Sequence, residues 1–212
     1  MDRIAAAVEN LGRFITNTPR ELLVLTLGAW AAGISVYLAV GLLGLSGHFG
    51  WIQLPGGLAI FANPIIFSLA FIVFSIEFIA DKIPYVDSMW DSVHTVIRPL
   101  GGFGIGYLAG TEHGPMIQTI YMMLAGTMTL NMHTAKAAGR LAINTSPEPF
   151  SNIAASTAEQ SLVVAMFWFF IQHPVIAVIV IIGILILAFL IIRMLWRFVK
   201  KLFGSGGSPS KS

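Results

Sequence analysis

The ionisable residues of this chain are few and they gather in one place. Between Glu77 and Pro99, in EFIADKIPYVDSMWDSVHTVIRP, stand Glu77, Asp81, Lys82, Asp87, Asp91, His94 and Arg98, with long apolar runs on both sides. On a helix starting near Asp87, the residues Asp87, Asp91, His94 and Arg98 fall at i, i+4, i+7 and i+11, so they share one face. Glu77 and Asp81 sit one turn apart at the end of the preceding apolar run. Two carboxylate pairs converging across a short loop could bind a hard divalent cation, which takes about six oxygen ligands. They could equally hold a proton, because crowded carboxylates cannot all stay ionised. The metal reading names Glu77, Asp81, Asp87 and Asp91, and no cofactor is expected beyond such a cation. A structural reading stands beside it: Ser88 and Asp91 as a capping box, Asp87 at a helix N-terminus, Asp91 neutralising Arg98. Glu77 lies inside an apolar run, where no cap explains it. Ionisable groups at membrane depth usually face a bundle interior or a water-filled path.

A second constellation is basic. His133, Lys136 and Arg140 fall at i, i+3 and i+7 on one helix face, with Thr129, Asn131 and Thr134 nearby. They would serve as a phosphate-headgroup or anion site, or as counter-charge to the acidic face, or would simply snorkel to the interface. Glu159 could pair with Lys136 or act as a further protonatable carboxylate. His48, His113 and His173 read as solvated loop histidines. No GxSxG elbow, HExxH pair or phosphate-cradling glycine loop is present, so no catalytic residue is expected. The absence of cysteine excludes disulfides and thiolate metal sites. No nucleic-acid-binding motif appears.

The elements that must hold these residues are helices in a bilayer. With 56% hydrophobic and 10% charged residues and a mean hydropathy of +0.82, no soluble class fits. The predicted architecture is all-α: six transmembrane helices, an N-terminal interfacial amphipathic helix over 1–20, a membrane domain over 21–198 and a basic, flexible tail over 199–212. The first span is expected over 21–45, with local unwinding near Ser35. Further spans are expected over 64–80, from about 88 through a break near Pro99, over 115–143, from 151 to about 172, and over 175–192. Six spans place both termini on one side together with Lys82, Arg140 and the C-terminal cluster. The positive-inside rule makes that side cytoplasmic. Gly102, Gly106 and Gly110 form a small-residue stripe that would admit another helix, including one from a second copy of the chain.

A shift of 63 positions overlays Asp81, Pro84 and Ser88 on Asn144, Pro147 and Ser151, and Glu77 on Arg140. Two helix–loop–helix units, over about 61–113 and 115–172, would be related by a pseudo-two-fold axis along the membrane normal. Glu77 and Arg140 would then meet near that axis, beside Asp81 and Asn144.

Three stretches resemble a bacterial membrane-protein family catalogued as a domain of unknown function, the DUF4126 family: AGISVYL from Ala32, ADKIPYVDSMWDSVHTVIRPLGG from Ala80 and NTSPEPFSNIA from Asn144. Ser35 stands where the family pattern carries Asn. The resemblance implies a bacterial inner-membrane protein and hands over no mechanism. Buried charge, repetition and broken helices lead to an ion or small charged solute as cargo, with proton coupling as an option. The path would run along Glu77, Asp81, Asp87, Asp91, His94, Arg98, His133, Lys136, Arg140, Asn144 and Glu159. A lipid-handling protein and a structural subunit of a membrane complex are the alternatives. Membrane lipids are the expected surroundings in every case.

Overall fold

A computed structural model describes residues 20–83, 85–143 and 149–204, and every regular element in them is helical. In chain order these are α1 (20–34), α2 (Val36–His48), a short 3-10 helix (Gly56–Ala62), α3 (Pro64–Ala80), α4 (Val86–Ala109), α5 (Pro115–Ile143), α6 (Pro149–Gln172) and α7 (Pro174–Gly204). Residues 1–19 of the interfacial helix predicted over 1–20, and the loop carrying Asn144, lie outside the described residues.

Local chemistry sets several of these boundaries. Proline occupies the first position of α3, α5, α6 and α7, where its fixed φ suits the helix and its missing N–H costs nothing. Asn63 caps α3 by accepting from Ile65 N at 2.9 Å. Two boundaries differ from expectation. α4 starts at Val86, after Tyr85 at φ 71, so Ser88 lies inside the helix instead of capping it. The same helix continues through Pro99, where the sequence predicts a break.

The largest difference is at the first predicted span. The stretch 21–45 is two helices, broken at Ser35, whose backbone is extended (φ −152, ψ 114). A Cβ on Gly28 would lie 3.0 Å from the Leu43 side chain, so α1 and α2 fold back on one another as a hairpin. Arg20, Gly50, Trp51, Phe170 and Pro174 line one cavity of about 360 Å³. Gly57 N donates to Thr111 Oγ1 at 2.7 Å. The start of α1, the end of α2, the α4–α5 link and the α6–α7 link therefore share one end of the bundle, and the hairpin tip at Ser35 points to its interior. Since α7 runs away from that end, residues 20 and 204 lie at opposite ends of the helical bundle. α7 also stays helical to Gly204, into the segment expected to be a flexible tail.

Among the described residues, two helices are long and apolar enough to cross a membrane, Phe150–Gln172 and Pro174–Phe198. The 3-10 helix and α3 qualify together as a pair bent by 73°. α4 and α5, at 24 and 29 residues, have the length but carry the charged faces. Large apolar side chains cover the outside: Ile72, Val96, Met123, Trp168 and Ile179 are all more than half exposed.

The tightest packing joins α4 to α5, across the boundary between the two predicted repeat units. The glycine stripe makes it close. A Cβ on Gly102 would lie 3.0 Å from Ala125 O, one on Gly110 would lie 2.7 Å from Gln118 Cα, and one on Gly106 would collide with Tyr121 O. That face is filled by the chain's own α5, so it is not open to a second copy.

Candidate functional site

The two charged faces read from the sequence meet in the middle of the bundle. Glu77, Asp81, Asp87, Asp91, His94, Arg98, His133, Lys136 and Arg140 are all buried. Burying so many charges is tolerable only when they are paired and hydrogen-bonded, because desolvation costs several kcal/mol per ion. Their pairing is therefore the key to the site.

Arg98, from the middle of α4, is the first hub. Its Nη2 donates to Glu77 Oε1 and its Nη1 to Asp91 Oδ1, both at 2.9 Å. Nη1 also lies 2.8 Å from His133 Nδ1. A guanidinium can only donate, so His133 Nδ1 is the acceptor and the ring proton sits on Nε2, 3.1 Å from Thr95 Oγ1. His94 donates from Nδ1 to Trp90 O at 2.8 Å, and its Nε2 faces Tyr37 OH at 3.4 Å.

The second hub is on α5. Lys136 Nζ lies 3.0 Å from Asp81 Oδ2 and 3.9 Å from both Asp91 Oδ1 and Glu159 Oε2. Arg140 pairs with Glu159 at 2.8 Å, reaches Asp87 Oδ1 at 3.9 Å, and donates to Asn152 Oδ1 at 2.5 Å. Asn152 and Gln160 of α6 then tie back to Asp81 through its carbonyl and its Oδ2 at 3.1 and 3.3 Å. Lys82 turns outward, to Phe78 O at 3.2 Å and Ser156 Oγ at 3.3 Å. Burial pushes its ammonium below the ordinary value, while neighbouring Asp81 pulls it back up.

The hairpin tip enters this network from the other side. Ser35 Oγ donates to Glu77 Oε2 while accepting from Leu38 N at 3.1 Å, so one hydroxyl caps α2 and holds the carboxylate. Glu77 thus faces the positive N-terminal end of α2. The negative end of α1 is met in turn: Lys136 Nζ donates to Ile34 O at 3.3 Å. A broken helix presenting both its half-helix ends to opposite charges is an arrangement that can hold ions within a bilayer.

Several pairings differ from the sequence reading. Glu77 and Arg140 do not pair; they belong to different hubs. Asp91 does sit on Arg98, and Glu159 reaches Lys136 but prefers Arg140. One oxygen from each of Asp81, Asp87 and Asp91 comes within 4.8 Å of the others, a grouping that leaves Glu77 out. His113, read as a solvated loop residue, lies 2.6 Å from Glu21 Oε2, which Tyr121 OH also approaches at 3.2 Å. Asn152 and Gln160 are participants the charged residues alone do not announce. Their signal is the four-residue spacing of Asn152, Ser156 and Gln160, a polar stripe on an otherwise apolar helix.

A crevice of about 240 Å³ leads to the network between α4 and α5. Ser88, Asp91, Ser92, Thr95 and Arg140 line it.

A family model described as a domain of unknown function, DUF4126, matches residues 22–194, and the chain belongs to that family. No curated protein and no solved structure matches the chain.

Proposed function

We propose that this protein is a small membrane transporter or channel for an ion or small charged solute, with the buried network as its path. One observation carries the reading: the Glu77 carboxylate, wholly buried, is held at the break of a re-entrant hairpin by Ser35 and Arg98. A carboxylate placed there needs a reason, because a packed apolar residue would be cheaper. In this arrangement α3 to α7 cross the bilayer and α1–α2 dips in from one face and returns. Lys82, Arg193, Arg197, Lys200 and Lys201 gather at the charged end, which the positive-inside rule makes cytoplasmic in a bacterial inner membrane. Glu77 is the gate or protonation site. Asp81, Asp87, Asp91 and Glu159 are the acidic lining, and Arg98, Lys136 and Arg140 the fixed counter-charges. His94 and His133 orient the hub around Arg98.

A specific observation favours a second, purely structural reading, in which the faces pair and do nothing else. Arg98, Lys136 and Arg140 each contact two or more carboxylates. The same engagement weakens the headgroup-binding reading, since both terminal nitrogens of Arg140 already donate, Nη1 to Asn152 and Asp81 O and Nη2 to Glu159.

The test is reconstitution of purified protein into vesicles, with imposed gradients of protons and of mono- and divalent ions. Wild type is expected to pass at least one of them, and folded Glu77→Gln to lose that flux. Silence of the wild type across the panel would remove the transport reading. Stability lost in Glu77→Gln and in Arg98→Gln, but regained when both are combined, would support the structural one.

A further inference from the structure

The network carries more negative than positive charge. Among the described residues, Glu77, Asp81, Asp87, Asp91 and Glu159 supply five carboxylates to the ion pairs and Arg98, Lys136 and Arg140 three cations, which leaves two negative charges when all are ionised. Lys82 lends Asp81 a neighbouring positive charge but makes no ion pair with it, since its ammonium turns to Phe78 O and Ser156 at the partly exposed edge.

The surplus has a location. One oxygen of each of Asp81, Asp87 and Asp91 lies within 4.8 Å of the others. Independently, Asp81 Oδ1 and Asp91 Oδ2 are buried with no hydrogen-bond partner, on residues only 1% and 6% exposed. Their sister oxygens are engaged, Asp81 Oδ2 by Lys136 and Gln160 and Asp91 Oδ1 by Arg98. Buried carboxylate oxygens rarely go without a donor or a cation.

We infer that Asp81, Asp87 and Asp91 bind one hard divalent cation of the Mg²⁺, Mn²⁺ or Ca²⁺ class. This rests on the ion-path reading above and names the substrate class for it. The spacing admits such an ion: oxygens bonded at about 2.4 Å to one cation stand no more than about 4.8 Å from each other. The donor set is all oxygen, which selects hard cations over soft ones. Two added positive charges also cancel the surplus. Asp91 both lines the crevice and belongs to the triad, so the ion has an entrance past Ser88, Ser92 and Thr95.

Lys136 is the built-in competitor. Its ammonium rests 3.0 Å from Asp81 Oδ2, with Glu159 Oε2 only 3.9 Å away on the other side. An arriving divalent ion displaces it toward Glu159, where it keeps a counter-charge, and its return helps to expel the ion.

The experiment is Mn²⁺ binding to the full chain in detergent, read from the paramagnetic resonance signal of the free ion. Wild type is expected to bind one Mn²⁺ per chain, displaced by excess Mg²⁺ or Ca²⁺. Asp81→Asn and Asp91→Asn should each weaken it by about tenfold or more, since ligand charge sets affinity in oxygen sites. Lys136→Met should tighten it, a gain that misfolding cannot imitate. No saturable binding by wild type, unchanged affinity in Asp81→Asn, or no gain in Lys136→Met would overturn the inference. The vesicle assay separates it from the broader reading. Glu77-dependent flux with no Mn²⁺ bound would sink the aspartate site and leave the ion path. Mn²⁺ bound at the aspartates with no flux of any ion would keep the site and end the transport reading.

Discussion

Ser35 performs two tasks with one oxygen, and this shapes what substitutions there should do. Its hydroxyl accepts from Leu38 N and donates to Glu77. Ser35→Ala should lose about 1 kcal/mol of stability from the cap alone and leave a Glu77 oxygen without its donor. Ser35→Asn should retain both, because an amide carbonyl caps as well as a hydroxyl and the amide N–H₂ can donate. Thermal unfolding in detergent checks it: Asn at or near wild type, Ala clearly lower. Arg98 is the more sensitive position. Arg98→Ala strips the counter-charge from Glu77 and Asp91 together, and removing one partner of a buried pair typically costs about 3–5 kcal/mol. The same unfolding curves check it, with Arg98→Ala expected well below Ser35→Ala.

At the scale of elements, the charged faces of α4 and α5 were legible because helical spacing is a local property. Asp87, Asp91, His94 and Arg98 had to share a face on any helix, as did His133, Lys136 and Arg140. Partner choice was not legible. Whether Arg140 takes Glu77 or Glu159 depends on where α6 lands, and Asn152 and Gln160 help to decide that from a helix with little else to mark it. The hairpin was the hardest to see. Residues 22–45 are apolar apart from Thr26, Ser35 and Tyr37 and carry no proline, so only the small and polar run around Ser35 hints at a break. Length read as one span; tertiary contact makes it two short helices. The α4–α5 seam gives a clean test. Gly106→Leu has to push apart backbone already in contact at Tyr121, and overpacking of this kind costs about 1–3 kcal/mol. A Cβ on Gly104 meets nothing within 4 Å, so Gly104→Leu starts into open space and should be near neutral. Equal losses at the two positions, measured by thermal unfolding, would mean that the seam is not where the helices lock.

For the whole molecule, a helical hairpin reaches the charged centre formed with the other helices, and the proposed membrane placement makes a topological prediction. The chain has no cysteine, so single introduced thiols can be labelled without background. Arg20→Cys and Gln53→Cys, both exposed at the hairpin end, should react with an impermeant reagent from one side of the membrane. Lys201→Cys should react from the other. Six full spans would instead put Arg20 and Lys201 on the same side. Topology alone does not establish a path, however. The most direct measurement is the current evoked by a rapid ion-concentration jump on protein reconstituted at a solid-supported membrane, comparing wild type with Glu77→Gln. The expected result is a current in wild type for at least one cation, reduced by about tenfold or more in Glu77→Gln, because a neutral amide can neither take up a proton nor balance a cation. A wild-type current that Glu77→Gln carries undiminished would contradict the placement of Glu77 on the path.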